Sequence, residues 1–307
     1  MKRLFILMVI MAAAIITAEA QQGQPAQTGN QGAKQAAPAA QPPAPAVQNG
    51  KPMPAAKTQE EFKAYQEAIA KATPAEVEAA AAAFATQYQQ SDLKVLVYRK
   101  AMYDYQNANN GEKTVAMARK MLALDANSPE ALVTFATVTA QTTRETDLDR
   151  EERLNEAVAD ATKALQTVDT DLLVPADAPK DRVEAFKKSL RAMAYDALGT
   201  VAMVKKDYPT AEKNLSKSAE LNVLPDAVTY LRLSVALDQQ KKYPQALDAA
   251  NKAVQYSADS PQANNLAKQE RDRLQKLVNV GGTAAPAASP APSSPAPATP
   301  PAAKPPQ

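Results

Sequence analysis

Between residues 58 and 280 apolar side chains recur at spacings of three and four, with Lys, Glu, Gln and Asp between them. That spacing gathers the apolar positions onto one stripe of a helix, and the β-branched residues never alternate over a strand-length run. Ala, Leu, Lys, Glu and Gln dominate, and these are strong helix formers. The pattern predicts helices over 59–71, 75–90, 92–108, 112–125, 129–142, 150–168, 181–205, 209–221, 226–240, 244–256 and 261–278. Their starts are punctuated. Thr58 precedes Glu60 and Glu61, Thr73 precedes Pro74, and Ser128-Pro129-Glu130 and Ser260-Pro261 repeat the device. A hydroxyl there accepts from an orphan amide, a proline sits where no N–H is needed, and acids suit the positive end of the helix dipole.

Both flanks lack this periodicity. Most of the 24 prolines fall in 21–57 and 281–307, among Ala, Gln, Ser and Gly. Neither stretch offers enough apolar surface to offset its chain entropy, so both are expected to be disordered, polyproline-leaning linkers. The folded domain is therefore expected at 58–280. Residues 1–20 have the form of a secretory signal: Lys2 and Arg3, an apolar run from Leu4 to Ile16, then Ala18-Glu19-Ala20. The run is shorter than the ~20 residues that span a bilayer, so cleavage after Ala20 is expected rather than anchoring. No cysteine follows it, so the protein is not expected to be a lipoprotein. The expected location is the periplasm or the medium.

Self-similarity is the strongest signal. Shifted by 35 residues, Tyr195 meets Tyr230, Leu198 meets Leu233, Lys206 meets Lys241, Tyr208-Pro209 meets Tyr243-Pro244, Ala211 meets Ala246 and Lys217 meets Lys252. The repeating unit is a helix pair. Its first helix carries a large residue and a leucine three later. A Lys-x-Tyr-Pro corner follows, and the second helix presents alanine. Second-helix segments alike in character lie at Ala118-Arg119-Lys120 and Ala161-Thr162-Lys163. A lone pair cannot bury its apolar face, whereas stacked pairs share one continuous core.

Over about 92–260 the chain resembles the tetratricopeptide repeat (TPR) family, whose unit is a 34-residue helix pair. The family's bulky first-helix position matches Tyr98, Leu132, Tyr195 and Tyr230. Its next small position matches Met102, Ala136, Gly199 and Ser234, and its second-helix alanine matches Thr114, Ala157, Ala211 and Ala246. Met102 and Thr114 depart from the pattern. Helices 59–71 and 75–90 look like a further, degenerate pair, and the stretch 169–180, with Pro175 and Pro179, is where the stack is expected to bend or break. The helix at 261–278 reads as a polar cap with a sparse stripe at Leu266, Leu274 and Leu277. The implied fold is all-α: an α-α superhelix, a TPR-like solenoid of antiparallel helix pairs with disordered Pro/Ala-rich tails. The resemblance also implies a concave groove that holds an extended peptide or partner helix. Its polar positions fall on Arg99, Tyr103, Gln106 and Asn107 in unit one, Thr137 and Gln141 in unit two, Asp196 and Thr200 in unit three, and Asp238 and Gln239 in unit four. The Lys-and-Asn carboxylate clamp of some family members is not reproduced, because Tyr103, Thr137, Thr200 and Val235 hold the ninth positions. Tyr98, Tyr195 and Tyr230 are expected in the core.

Composition removes several chemistries. There is no His or Cys, hence no Cys/His zinc site, thiol nucleophile, Ser-His-Asp triad or disulfide. Only Gly111 and Gly199 fall in the predicted domain, too few for a phosphate loop. A formal net charge of +2 is not a nucleic-acid footprint. The acid-rich stretch 144–156 lacks the glycine and the twelfth-place glutamate of a calcium loop and reads as a solvated helix start. No catalytic, cofactor or metal residues, no small-molecule substrate and no enzymatic activity are expected. The expected role is an exported scaffold that binds other proteins or peptides through its concave surface. The alternative is a structural cell-envelope component that self-associates, or contacts peptidoglycan through its Pro-rich tails.

Overall fold

Side-chain caps set where the helices begin. Thr58 Oγ1 accepts from the Glu61 amide at 3.1 Å. Thr73 and Glu76 form a reciprocal capping box ahead of Pro74. Asn110, Ser128, Asp207 and Asp226 each accept from the amide three residues on. The computed structural model describes residues 50–281, and the side chains of 50–279. The expected signal at 1–20, the expected linker up to residue 49 and the expected tail from 282 lie outside the described residues. The elements are β1 (Lys51–Pro52), α1 (Gln59–Ile69), α2 (Pro74–Gln87), α3 (Lys94–Asn107), α4 (Gly111–Leu124), α5 (Pro129–Thr142), α6 (Arg150–Thr167), β2 (Leu173–Val174), α7 (Lys180–Val204), α8 (Tyr208–Leu221), α9 (Ala227–Gln239), α10 (Tyr243–Tyr256) and α11 (Pro261–Gly281). Every helix lies within three residues of the bounds its apolar spacing predicts.

Each helix packs against the next in sequence, with further packing of α5 on α7 and of α9 on α11. This is an α-α superhelix of TPR-like pairs. Three corners within pairs share one backbone device. Asn109, Lys206 and Lys241 adopt φ of 55°, 60° and 59°. The amide after each reaches back to close the helix: Asn110 N to Tyr105 O at 2.9 Å, Asp207 N to Ala202 O at 2.9 Å and Lys242 N to Leu237 O at 3.0 Å. This six-to-one closure usually employs glycine. A lysine or asparagine here accepts left-handed backbone at a cost of about 1 kcal/mol. The Lys206–Lys241 match in the repeat is thus a match of backbone shape.

The seams between helices are lined by small residues. Ala118, Ala157, Ala161, Ala211, Ala246 and Ala250 are wholly buried. Met102 and Thr114 are also buried despite departing from the pattern, and the Thr114 hydroxyl donates to Asn110 O at 2.7 Å. Tyr98 is buried, whereas Tyr195 and Tyr230 are half-buried, with the Tyr230 ring 5.5 Å from that of Tyr256. One apolar cluster runs from Tyr65 to Val201 and a second from Ala202 to Leu274. The expected bend at 169–180 is not where they divide. Val168, Leu172 and Val174 belong to the first cluster, and the division falls within α7, where Val201 belongs to the first and Ala202 to the second. In α11 Leu274 is buried and Leu277 packs on the core, but Leu266 is 51% exposed and Ala267 takes the buried place.

The linker expected over 21–57 ends earlier than its composition suggests. Residues 51–52 pair in parallel with 173–174, and Met53 and Ala56 pack on the first cluster. Long-range partners hold this Pro-rich segment in place.

Gly199 marks the tightest seam. A Cβ there would stand 2.6 Å from Leu215 Cγ and 3.2 Å from the Leu215 backbone nitrogen. Leu215 is fully buried and its amide belongs to a helix, so neither can yield cheaply. Gly199→Leu is expected to cost ~1–3 kcal/mol by overpacking. A denaturant midpoint equal to that of the wild type would refute this seam.

Candidate partner groove

The residues marked as a groove by the repeat register come from the first helices α3, α5, α7 and α9. On α3 and α5 they are mostly closed. Tyr103 donates its hydroxyl to Glu130 Oε1 at 2.5 Å, and Arg99 Nη1 lies 3.5 Å from Glu130 Oε2. Arg99, Tyr103 and Glu130 are all buried. Burial, reinforced by the Glu130 charge, pushes the Tyr103 phenol well above its ordinary value. Arg99 and Tyr103 thus clamp unit one to unit two and are not free to hold a partner. Gln106 and Thr137 are half-buried, with Gln106 Oε1 and Thr137 Oγ1 sealed and unbonded. Asn107 and Gln141 are exposed.

Two more acids act as clamps further along. Asp196 accepts from Thr229 Oγ1 at 2.9 Å and from Arg232 Nη1 at 3.0 Å, joining α7 to α9. Burial raises its carboxyl above the ordinary range, against the pull of Arg232. Asp238 pairs with Arg273 at 2.6 Å, joining α9 to α11. Thr200 is buried with Oγ1 unbonded, and Gln239 is exposed. The structure does not bring the ten expected residues together as one free polar surface. Arg99, Tyr103, Asp196 and Asp238 join neighbouring units, and only Asn107, Gln141 and Gln239 are fully open.

A set of apolar residues at the same register positions stays accessible. Val228, Leu231 and Val235 share one face of α9, are half-buried, and belong to neither apolar cluster. On α7, Met193 at the position of Val228 and Met203 at that of Asp238 are half-buried and pack against the edges of the two clusters. In unit two Glu130, Val133 and Ala140 are buried at these register positions, and Thr137, the counterpart of Val235, is half-buried as Val235 is. The groove is therefore largely covered and polar-clamped over α3–α5, apart from the exposed Asn107 and Gln141, and carries half-buried apolar side chains on α7 and α9 beside the buried Thr200. Val228, Leu231 and Val235 are spaced as i, i+3, i+7, a signal present in the sequence.

Elsewhere, a shallow cavity of about 590 Å³ is lined by Glu145, Arg150, Glu151, Val204, Lys205 and Lys206. Its charges answer one another. Arg150 pairs with Glu151, Lys205 lies 3.5 Å from Glu151, Lys206 lies 3.8 Å from Glu145, and Arg150 Nη2 donates to Val204 O at 2.9 Å. In the acid-rich stretch, Asp147 Oδ2 accepts from the Arg144 amide at 2.9 Å and lies 3.7 Å from Arg153. Among the described residues no three acids gather as a metal ion would require.

No protein-family model matches the chain, and no curated protein matches it. Among solved structures the chain is similar to the crystal structure of MamA protein, at 17% identity and a TM-score of 0.38, over 60% of this chain and 88% of that one. The fold rests on the packing described above and not on that likeness.

Glu130→Ala is expected to cost about 3 kcal/mol, because it strands a buried guanidinium. Asn107→Ala and Gln141→Ala are expected to stay within about 0.5 kcal/mol of wild type. Urea unfolding of the three variants distinguishes clamp from surface; equal effects would overturn the distinction.

Asp160 on α6 gives a pH prediction. Burial, then the Glu156 charge one turn earlier, pushes its carboxyl up to about 6. A raised acid binds its proton more tightly folded than unfolded, so the ionised form weakens the fold above pH 6. The penalty fades as pH falls through 6 toward the unfolded value. Asp160→Asn is expected to raise the melting temperature at pH 7.5 and leave it unchanged near pH 4. A gain independent of pH would contradict this.

Proposed function

We propose that this protein is an exported scaffold that captures a protein partner on the apolar half of its concave surface, α7–α9, without covalent chemistry. The observation that carries the reading is the contrast between the two halves. Over α3–α5 the groove positions Arg99, Tyr103, Glu130, Val133 and Ala140 are buried, while on α7 and α9 Met193, Met203, Val228, Leu231 and Val235 are only half-buried. Side chains spaced i, i+3, i+7 along α9 suit an amphipathic helix or an extended apolar segment laid across them. Adaptable methionines at the margin suit a surface that repacks around its ligand. The signal-like residues 1–20 support export, and a mature N-terminus at Gln21 by mass spectrometry would test it.

Partner capture is tested by placing a photo-crosslinking residue at Leu231, Val235 or the exposed Lys213 of α8 in the full chain, in cells. Discrete hetero-adducts are expected from 231 and 235 and none from 213. Equal adducts at all three, or adducts only with a second copy of the chain, would overturn the reading and favour a self-associating envelope component.

A further inference from the structure

The connections that follow α2, α4 and α6 are all of one kind, each leading from a second helix to the next first helix. One segment touches all three. At its end, Lys57 Nζ donates to Gln90 O at 2.5 Å, after α2. At its start, Lys51 Nζ lies 3.0 Å from Asp125 Oδ2, after α4, and 2.8 Å from Asp171 Oδ1, after α6. The Lys51 amide donates to Leu172 O at 2.8 Å, and Lys51 and Pro52 stand in parallel register with Leu173 and Val174. Asp125 and Asp171 are themselves largely covered, with side chains 23% and 14% exposed. They face a single ammonium between them.

Gly50 sets the register. Its φ is +140°, and a Cβ would stand 2.6 Å from Leu172 O and 2.8 Å from Val174 Cγ2. Leu172 and Val174 are buried, so the wall cannot retreat. The position admits glycine alone. Pro52 then costs little, since a two-residue pairing asks for few donors. A second Lys-Pro dipeptide exists at Lys304-Pro305, but Ala303 precedes it where the wall requires glycine.

We infer that the row of inter-unit connections is a binding cradle for an extended Gly-Lys-Pro segment, and that its resident occupant is the chain's own residues 50–57. Strand pairing supplies the backbone contacts, the two aspartates select lysine, and the Leu172–Val174 wall selects glycine. Held there, the segment straps together units that are not neighbours, which a stack of nearest-neighbour contacts otherwise cannot do. The cradle is separate from the concave groove and does not rest on the role proposed for it.

The test uses the full chain and a fluorescent peptide of residues 49–58. Wild type, its cradle filled, is expected to bind none. Gly50→Val, which unseats the strap, is expected to bind the peptide saturably with a midpoint of about 0.1–1 mM, because the strap normally acts at the high effective concentration of a short tether. High salt should weaken that binding. A peptide with alanine in place of its glycine should bind neither chain. Equal binding to wild type and variant, or no binding to a variant that keeps its helical circular dichroism, would overturn the cradle. Should Gly50→Val not fold, Lys51→Gln decides. Amides at 51 and 171–174 are then expected to exchange hydrogen at least tenfold faster, with those in α9 and α10 unchanged. Unaltered exchange at 171–174 would refute the strap.

Discussion

A pair of helices in this chain cannot keep its apolar face from water without another pair beside it. Every other feature follows from that constraint. Close approach requires small residues at the seams, which is why Gly199 lies against Leu215 and why Ala211, Ala246 and Ala250 are wholly buried. Apolar burial is non-directional, so it holds the stack together without fixing how one unit sits on the next. Register is supplied by the polar clamps. Glu130 reaches back to Arg99 and Tyr103, Asp196 forward to Thr229 and Arg232, and Asp238 forward to Arg273.

This division of labour explains why Arg99, Tyr103, Asp196 and Asp238 are engaged with neighbouring helices. A buried acid left without a counterpart would cost more than its pairing gains, so each clamp acid must find its partner on the adjacent unit. Between these clamps, one face of α9 carries the aliphatic Val228, Leu231 and Val235.

The helices were legible because local chemistry marked them. Thr58, Thr73 and Ser128 cap as their sequence neighbourhoods imply, and the 35-residue echo between Tyr195 and Tyr230 located the pairs. The clamps were also within reach. Arg99 and Glu130 are 31 residues apart, Asp196 and Arg232 36, and Lys113 and Glu78 35, all close to one repeat length. Opposite charges at repeat spacing signal an inter-unit pair, and reading groove positions one unit at a time conceals it. The strap was not legible. Lys51 lies 74 residues from Asp125, and in a Gly-, Pro- and Ala-rich stretch nothing local marks it as held. Composition measures what a segment can bury by itself, and residues 50–57 are held almost entirely by groups distant in sequence.

The strap also bears on where the molecule can adapt. It touches the connections after α2, α4 and α6 and none beyond, so the first cluster gains links between non-adjacent units while the second, from Ala202 onward, depends on its immediate neighbours. In a repeat array the free energy of local opening follows the number of such links. The strap thus adds its links to the N-terminal part of the stack. The strap and the Glu130 clamp lie on the N-terminal part of the stack, and the half-buried aliphatic face of α9 lies on the C-terminal part.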